Sequence, residues 1–210
     1  MKCLLGVLTL IAVGTACSES VTGPDRAKAV ISDLEPFQRA ARFIIQTEVP
    51  LQTAFECLTR AEVERGPLTT FAIRRGWVQI ESLEASLGFG VKKACPSLTL
   101  TAAGKAASAE WTRHGTGTGN GVAWAVPIGR RKLASVTNFT TAPDGAAQVE
   151  FSWRWSANDT GNALRAIVPQ AADFFSQNRT GRADCGQVTG EWRCQLAMWK
   201  TPADAGDFQP

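Results

Sequence analysis

The sequence predicts an α+β protein, with an α-rich N-terminal half followed by an antiparallel β-rich C-terminal half. Two observations carry that expectation. Before residue 114 the apolar side chains recur three or four positions apart, as on one face of a helix, and after residue 121 they alternate, as on one face of a strand. Between the two regimes lies "HGTGTGNG", His114 to Gly121, which has no side chain large enough to build a core and reads as a Gly-rich connector.

The chain opens with Met1-Lys2 and an uncharged apolar run, Leu4 to Val13, the order of a secretory signal peptide. A bilayer-spanning helix needs about 20 apolar residues, so this run is too short to remain as an anchor. The run ends in Gly14-Thr15-Ala16-Cys17, which resembles the lipobox of bacterial lipoproteins, with Gly14 where that family commonly carries Leu. The resemblance implies cleavage before Cys17, acylation of Cys17, and a lipid bilayer as first partner. With Ser18 following, it also implies the outer membrane where there are two. Ordinary secretory cleavage after Ala16 is the alternative, and the six cysteines separate the two. Cleavage removes Cys3 and lipidation uses Cys17, leaving Cys57, Cys95, Cys185 and Cys194, an even set that can pair completely.

Processing leaves 21 Lys+Arg against 19 Asp+Glu, too balanced for a nucleic-acid or acidic-polymer partner. The expected organisation is a signal peptide over 1–16, a lipidated tether over 17–25, an α-rich region over 26–113, the connector over 114–121, a β-rich region with one helix over 122–200, and a polar tail over 201–210.

In the α-rich region, Val30, Ile31, Leu34, Phe37, Ala41, Ile44 and Ile45 keep helix spacing, with Pro36 kinking the helix or opening a second one. Pro50 starts a further helical segment that Gly66-Pro67 closes. Trp77, Ile80, Leu83 and Leu87 predict an amphipathic helix, Phe89 to Leu100 two short strands around Lys92-Lys93, and Thr101 caps a helix running to Trp111. Helix, Leu-Gly-Phe, hairpin and then "LTLTAAGKAA" resemble the C-terminal half of a winged-helix domain of the MarR or PadR type over Ala61 to Ala106. For that shape the resemblance implies a winged-helix-like N-terminal half, and it adds little about activity.

In the β-rich region "AQVEFSWRWS" is the strongest strand, with Val149, Phe151, Trp153 and Trp155 on one face. Its hairpin partner is expected across a three-residue loop, Pro143-Asp144-Gly145, setting Phe139 against Val149 and Leu133 against Trp155. Pro169 starts a helix that runs toward Asn178. Cys185 and Cys194 stand symmetrically about Thr189-Gly190 in a final hairpin, so they are expected to bond, leaving Cys57 to bond Cys95.

No catalytic residue, metal ligand or cofactor is assigned. His114 is the only histidine, no G-x-S-x-G elbow is present, and no C-x-x-C occurs. Asp144, Glu150, Asp159, Asp173, Asp184 and Glu191 could serve a carboxylate hydrolase, but their spacing singles out no pair. The function expected is a membrane-anchored extracytoplasmic lipoprotein that binds or supports another, unknown envelope protein or ligand without catalysis. The alternatives are a carboxylate-dependent envelope hydrolase and a winged-helix DNA-binding regulator.

Overall fold

The computed structural model describes residues 23–53, 55–116, 121–196 and 201–210. Its centre is a six-stranded, curled antiparallel sheet, ordered β1-β5-β6-β7-β8, with β4 on the other side of β5 from β1. The strands are β1 (Ala40–Thr47), β4 (Thr112–Thr116), β5 (Val122–Thr141), β6 (Ala147–Ala157), β7 (Arg179–Val188) and β8 (Glu191–Leu196). A separate ribbon pairs β2 (Val78–Ser86) with β3 (Lys92–Leu100). The helices are short: α1 (Gly23–Asp33), α2 (Glu35–Gln38), α3 (Arg60–Arg65), α4 (Pro67–Arg74), α5 (Ala102–Ala107), α6 (Asp159–Arg165), α7 (Pro169–Ser176) and α8 (Pro202–Ala205).

The expected α-rich, winged-helix-like N-terminal half is therefore corrected: it mixes short helices with the strands β1, β2 and β3, and the chain as a whole is β-rich. Ala41, Phe43, Ile45 and Thr47 are buried at every second position of β1, so the strand period overrides the helical spacing of Ala41, Ile44 and Ile45. The segment after Trp77, read as an amphipathic helix, is β2, paired residue for residue with β3 from Val78↔Leu100 to Ser86↔Lys92. That removes the helix that would precede a wing. The local signals at Pro36 and Thr101 survive: Pro36 opens α2, and the Thr101 side chain accepts from Gly104 N; α3 starts at Arg60 rather than Pro50, behind a reciprocal capping box of Thr59 and Glu62.

The expected connector does not divide the chain into two cores. Thr112↔Ala125, Arg113↔Trp124 and Thr116↔Val122 pair β4 with one edge of β5, and β1 joins the opposite edge from Thr47↔Val122 to Ala40↔Arg130. One apolar cluster runs from Ala27 and Ile31 of α1 through Phe43, Phe71, Trp77 and Val126 to Trp153, Trp155, Phe175 and Phe208. Aromatic edges link the ribbon to the sheet, Phe43 to Phe71 to Trp77 to Trp111 to Trp124, with centroids 5.1–6.2 Å apart.

β5 is one strand of 20 residues. Its hairpin with β6 turns as expected at Pro143-Asp144-Gly145: Ala142 N donates to Ala146 O at 2.7 Å, Gly145 has φ +84°, and Phe139 faces Val149. Farther from the turn the register departs, with Leu133 opposite Trp153 rather than Trp155. Two bulges, between Val136 and Asn138 and between Leu133 and Ser135, each insert one residue into β5. The apolar positions Leu133, Val136 and Phe139, three apart, are the imprint of those bulges.

α5 packs its first turn directly on the backbone of Trp77. A Cβ on Gly104 would lie 1.9 Å from Trp77 O, a carbonyl that accepts Thr101 N at 3.0 Å and cannot yield without opening the ribbon. Gly104→Ala is therefore expected to lower the thermal midpoint by several degrees despite the higher helix propensity of Ala. A midpoint at or above that of the parent chain would contradict the close approach.

Candidate functional site

The inner face of β6 presents Val149, Phe151, Trp153 and Trp155, as its alternation requires, and all four are buried. β5 brings Arg131 onto the same face. Its guanidinium carbon lies 4.4 Å from the Trp155 ring centroid and 5.3 Å from that of Trp153. Nη1 donates to Pro36 O at 2.6 Å, and Nη2 donates to Asp204 O, so one buried cation ties α2 and the C-terminal segment to the sheet. Burial, with Arg39 as a further like charge, pushes the Arg131 guanidinium down to about 10.

Arg179, at the start of β7, is a second buried cation. It stands over Trp153 and Phe174, with its guanidinium carbon 5.5 and 5.1 Å from their centroids, and donates to Phe174 O and Gln177 O. Its Nε is 3.2 Å from Asp204 Oδ1. Burial lowers its pKa and the Asp204 carboxylate opposes that shift.

The segment Thr201–Pro210, expected as a polar tail, is a strap over this layer. Trp155 Nε1 donates to Ala203 O at 3.0 Å, Arg42 N donates to Gly206 O and Phe208 N to Arg42 O, each at 2.8 Å, and Phe208 is buried against Phe174. Arg42 Nε meets Asp207 Oδ1 at 2.9 Å. Sequence reasoning missed Arg131, Arg179 and Asp204. Counting back by two from the inward Leu133 reaches Arg131, a signal that could have found it.

Between α7 and the strap opens a cleft of about 580 Å³. Its polar groups are the amides of Gln170, Gln177 and Gln209, the hydroxyls of Ser176 and Thr201, the carboxylates of Asp173 and Asp207, and Arg179, whose charge is already met by Asp204. Ser176 Oγ donates to Asp173 O at 3.2 Å, a hydrogen bond that closes the end of α7 and gives the hydroxyl no base. Donors and acceptors of this kind suit recognition of a neutral, hydroxyl- or amide-bearing group.

The four paired cysteines stand as Cys57–Cys95, with Sγ atoms 1.97 Å apart, and Cys185–Cys194, at 2.04 Å. These are the pairs expected from the sequence, and Cys185↔Cys194 is also a cross-strand pair of the β7–β8 hairpin. Bonded cysteines fit an oxidising, extracytoplasmic compartment. No helix among the described residues is long and apolar enough to cross a membrane. Cys17 and the signal-like run lie outside the described residues.

His114 belongs to β4 rather than to a loop, and is exposed at the rim of a small cavity beside Arg42 and Asp207. The carboxylates named as hydrolase candidates are scattered. Asp144 accepts Ala146 N in the β5–β6 turn, Asp159 lies in the first turn of α6, and Asp184 accepts from Gln148 on the outer sheet face. Among the described residues no group of three or more His, Cys, Asp or Glu could hold a metal ion. Comparison with protein-family profiles, with curated proteins and with solved structures finds no match to this chain.

Proposed function

We propose that the protein is a membrane-anchored extracytoplasmic lipoprotein, held through an acylated Cys17, that binds or supports another component of the cell envelope without catalysis. The observation that supports this reading most is the completeness of the cysteine set. Cys57–Cys95 and Cys185–Cys194 take four thiols, so the cysteine at the end of the apolar run, Cys17, has no thiol partner once Cys3 is cleaved away. The amide-rich cleft beneath the C-terminal strap is the place where a neutral polar group of the partner would seat.

Mass spectrometry of the protein isolated from envelopes is expected to show an N-terminus at Cys17 carrying acyl chains, and Cys17→Ser is expected to move the protein out of the membrane fraction or block its processing. A mature chain with unmodified Cys17 that stays soluble would remove the anchor from this reading. Several chains on one cysteine give an effectively permanent attachment, whereas one gives a reversible attachment.

A further inference from the structure

The basic run Arg130-Arg131-Lys132 is split by the strand. Arg131 turns inward to the tryptophan layer, while Arg130 and Lys132 point outward and are exposed. Lys132 stands directly opposite Arg154 across the β5–β6 ladder, an arrangement of like charges that disfavours the pairing on its own. Lys28 of α1 reaches the same place. Lys28, Lys132 and Arg154, with Asn178, rim a cleft of about 330 Å³ that no carboxylate lines. No ion pair among the described residues involves any of the three cations, although Glu35, Glu64, Glu84, Asp204 and Asp207 are all paired elsewhere. Three cations left together around one concavity, with an amide beside them, make a site for a phosphate group.

The fold also decides which way this site faces. A Cβ on Gly23 would lie 2.9 Å from the Phe139 ring, so α1 begins at the C-terminal end of β5. The ribbon begins at the other end, where Glu48 N, next to Thr47↔Val122, donates to Leu98 O. Phe89, at the tip of the ribbon, is wholly exposed. Only residues 18–22 separate Cys17 from Gly23 at the start of α1, a reach of about 20 Å at full extension. Lys132 lies midway along β5 and Lys28 five residues into α1, so the basic cleft is nearer the start of α1 than the base of the ribbon is.

We propose that the Lys28–Lys132–Arg154 cleft binds the phosphate of an anionic phospholipid headgroup, docking the surface formed by α1 and the outward side chains of β5 and β6 onto the bilayer into which Cys17 is anchored. This rests on the lipoprotein reading. It adds an orientation to it: the end of β5 to which the ribbon is attached, at Thr47↔Val122, lies away from the membrane, toward whatever partner the protein meets.

The test uses the chain from Ser18 onward, which contains every described element and no acylation site, in sedimentation with vesicles of phosphatidylcholine alone or with about one third phosphatidylglycerol. Binding is expected only to the anionic vesicles, weakening about fivefold for each cation removed, so about 30-fold for Lys132→Gln with Arg154→Gln. Lys93→Gln, on the distant ribbon, should leave it unchanged. Equal binding by the cleft variant and the parent chain overturns the site. Saturable binding of inorganic phosphate with no preference for anionic vesicles assigns the cleft to a soluble anion and overturns the headgroup. The anchor is read separately from the N-terminal mass of the native protein, so an unacylated Cys17 with intact vesicle binding rejects the anchor and keeps the surface.

Discussion

Asp204→Ala is expected to destabilise the protein by about 3–5 kcal/mol, the cost of leaving a buried charge without its partner. Asp204 is the carboxylate that meets Arg179 at 3.2 Å, and its charge also opposes the lowering of the Arg131 pKa by burial. Removing it leaves two cations in one aromatic layer. The strap should loosen with it, because Ala203 O and Asp204 O hold Trp155 Nε1 and Arg131 Nη2 only while the segment stays in place. Faster carboxypeptidase release of residues beyond Thr201 and a lower urea midpoint are the paired measurements. Arg179→Met in the same chain should restore part of the loss, since the Phe174 and Trp153 rings that flank the guanidinium can pack a thioether. A double variant no better than Asp204→Ala alone would show that the carboxylate works through packing and not through charge.

That layer also shows where sequence periodicity stops carrying information. The alternation of Val149, Phe151, Trp153 and Trp155 is read directly from the residues because β6 has no irregularity between Ala147 and Trp153 in its pairing with β7. β5 has bulges, so each of its segments keeps a local period while the phase between them slips. Phe139↔Val149, close to the turn, was therefore legible, and Leu133↔Trp153, beyond two bulges, was not. The strap was hidden for a different reason. Only Phe208 in Thr201–Pro210 is a large apolar residue, and the segment is held mainly by backbone carbonyls and two carboxylates, which no hydropathy pattern records.

The ribbon misled the reading for a third reason. Trp77, Ile80, Leu83 and Leu87 have helical spacing, yet what fixes their conformation is distant in sequence: Pro50 and Leu51 pair with Ser97 and Pro96, and Glu48 donates to Leu98. Leu83, on the apolar side of the expected helix, is left exposed at the middle of β2. Tertiary pairing overrides a pattern of four residues easily. The resemblance to a wing was local: the Thr101 cap is present, but the helix expected from Trp77 to Leu87 is β2, and the two strands expected within Phe89 to Leu100 are the single strand β3.

The Cys57–Cys95 bond is what this architecture leans on at its far end, and its loss is the second large effect expected. An isolated two-stranded hairpin is marginal in water, and the outer half of this ribbon buries only Ala85, Leu87 and Cys95, with Cys57 packed against them. The bond closes a sequence separation of 38, for which the chain-entropy estimate is about 4 kcal/mol; the separation of 9 closed by Cys185–Cys194 gives about 3. The shorter bond backs a register that the Thr189-Gly190 turn, with φ of +52° and +85°, and the β7–β8 ladder already set. The longer one has no such backing. Cys57→Ser with Cys95→Ser should therefore open the ribbon locally before the sheet unfolds. Amides of Leu83 to Ala94 would exchange faster by two orders of magnitude or more, while those of the β5–β6 ladder move little. Cys185→Ser with Cys194→Ser should show a smaller loss without that contrast. Uniform acceleration across ribbon and sheet in the first variant would mean that the ribbon is held by the main core, and that the outer cluster beside the bond contributes nothing of its own.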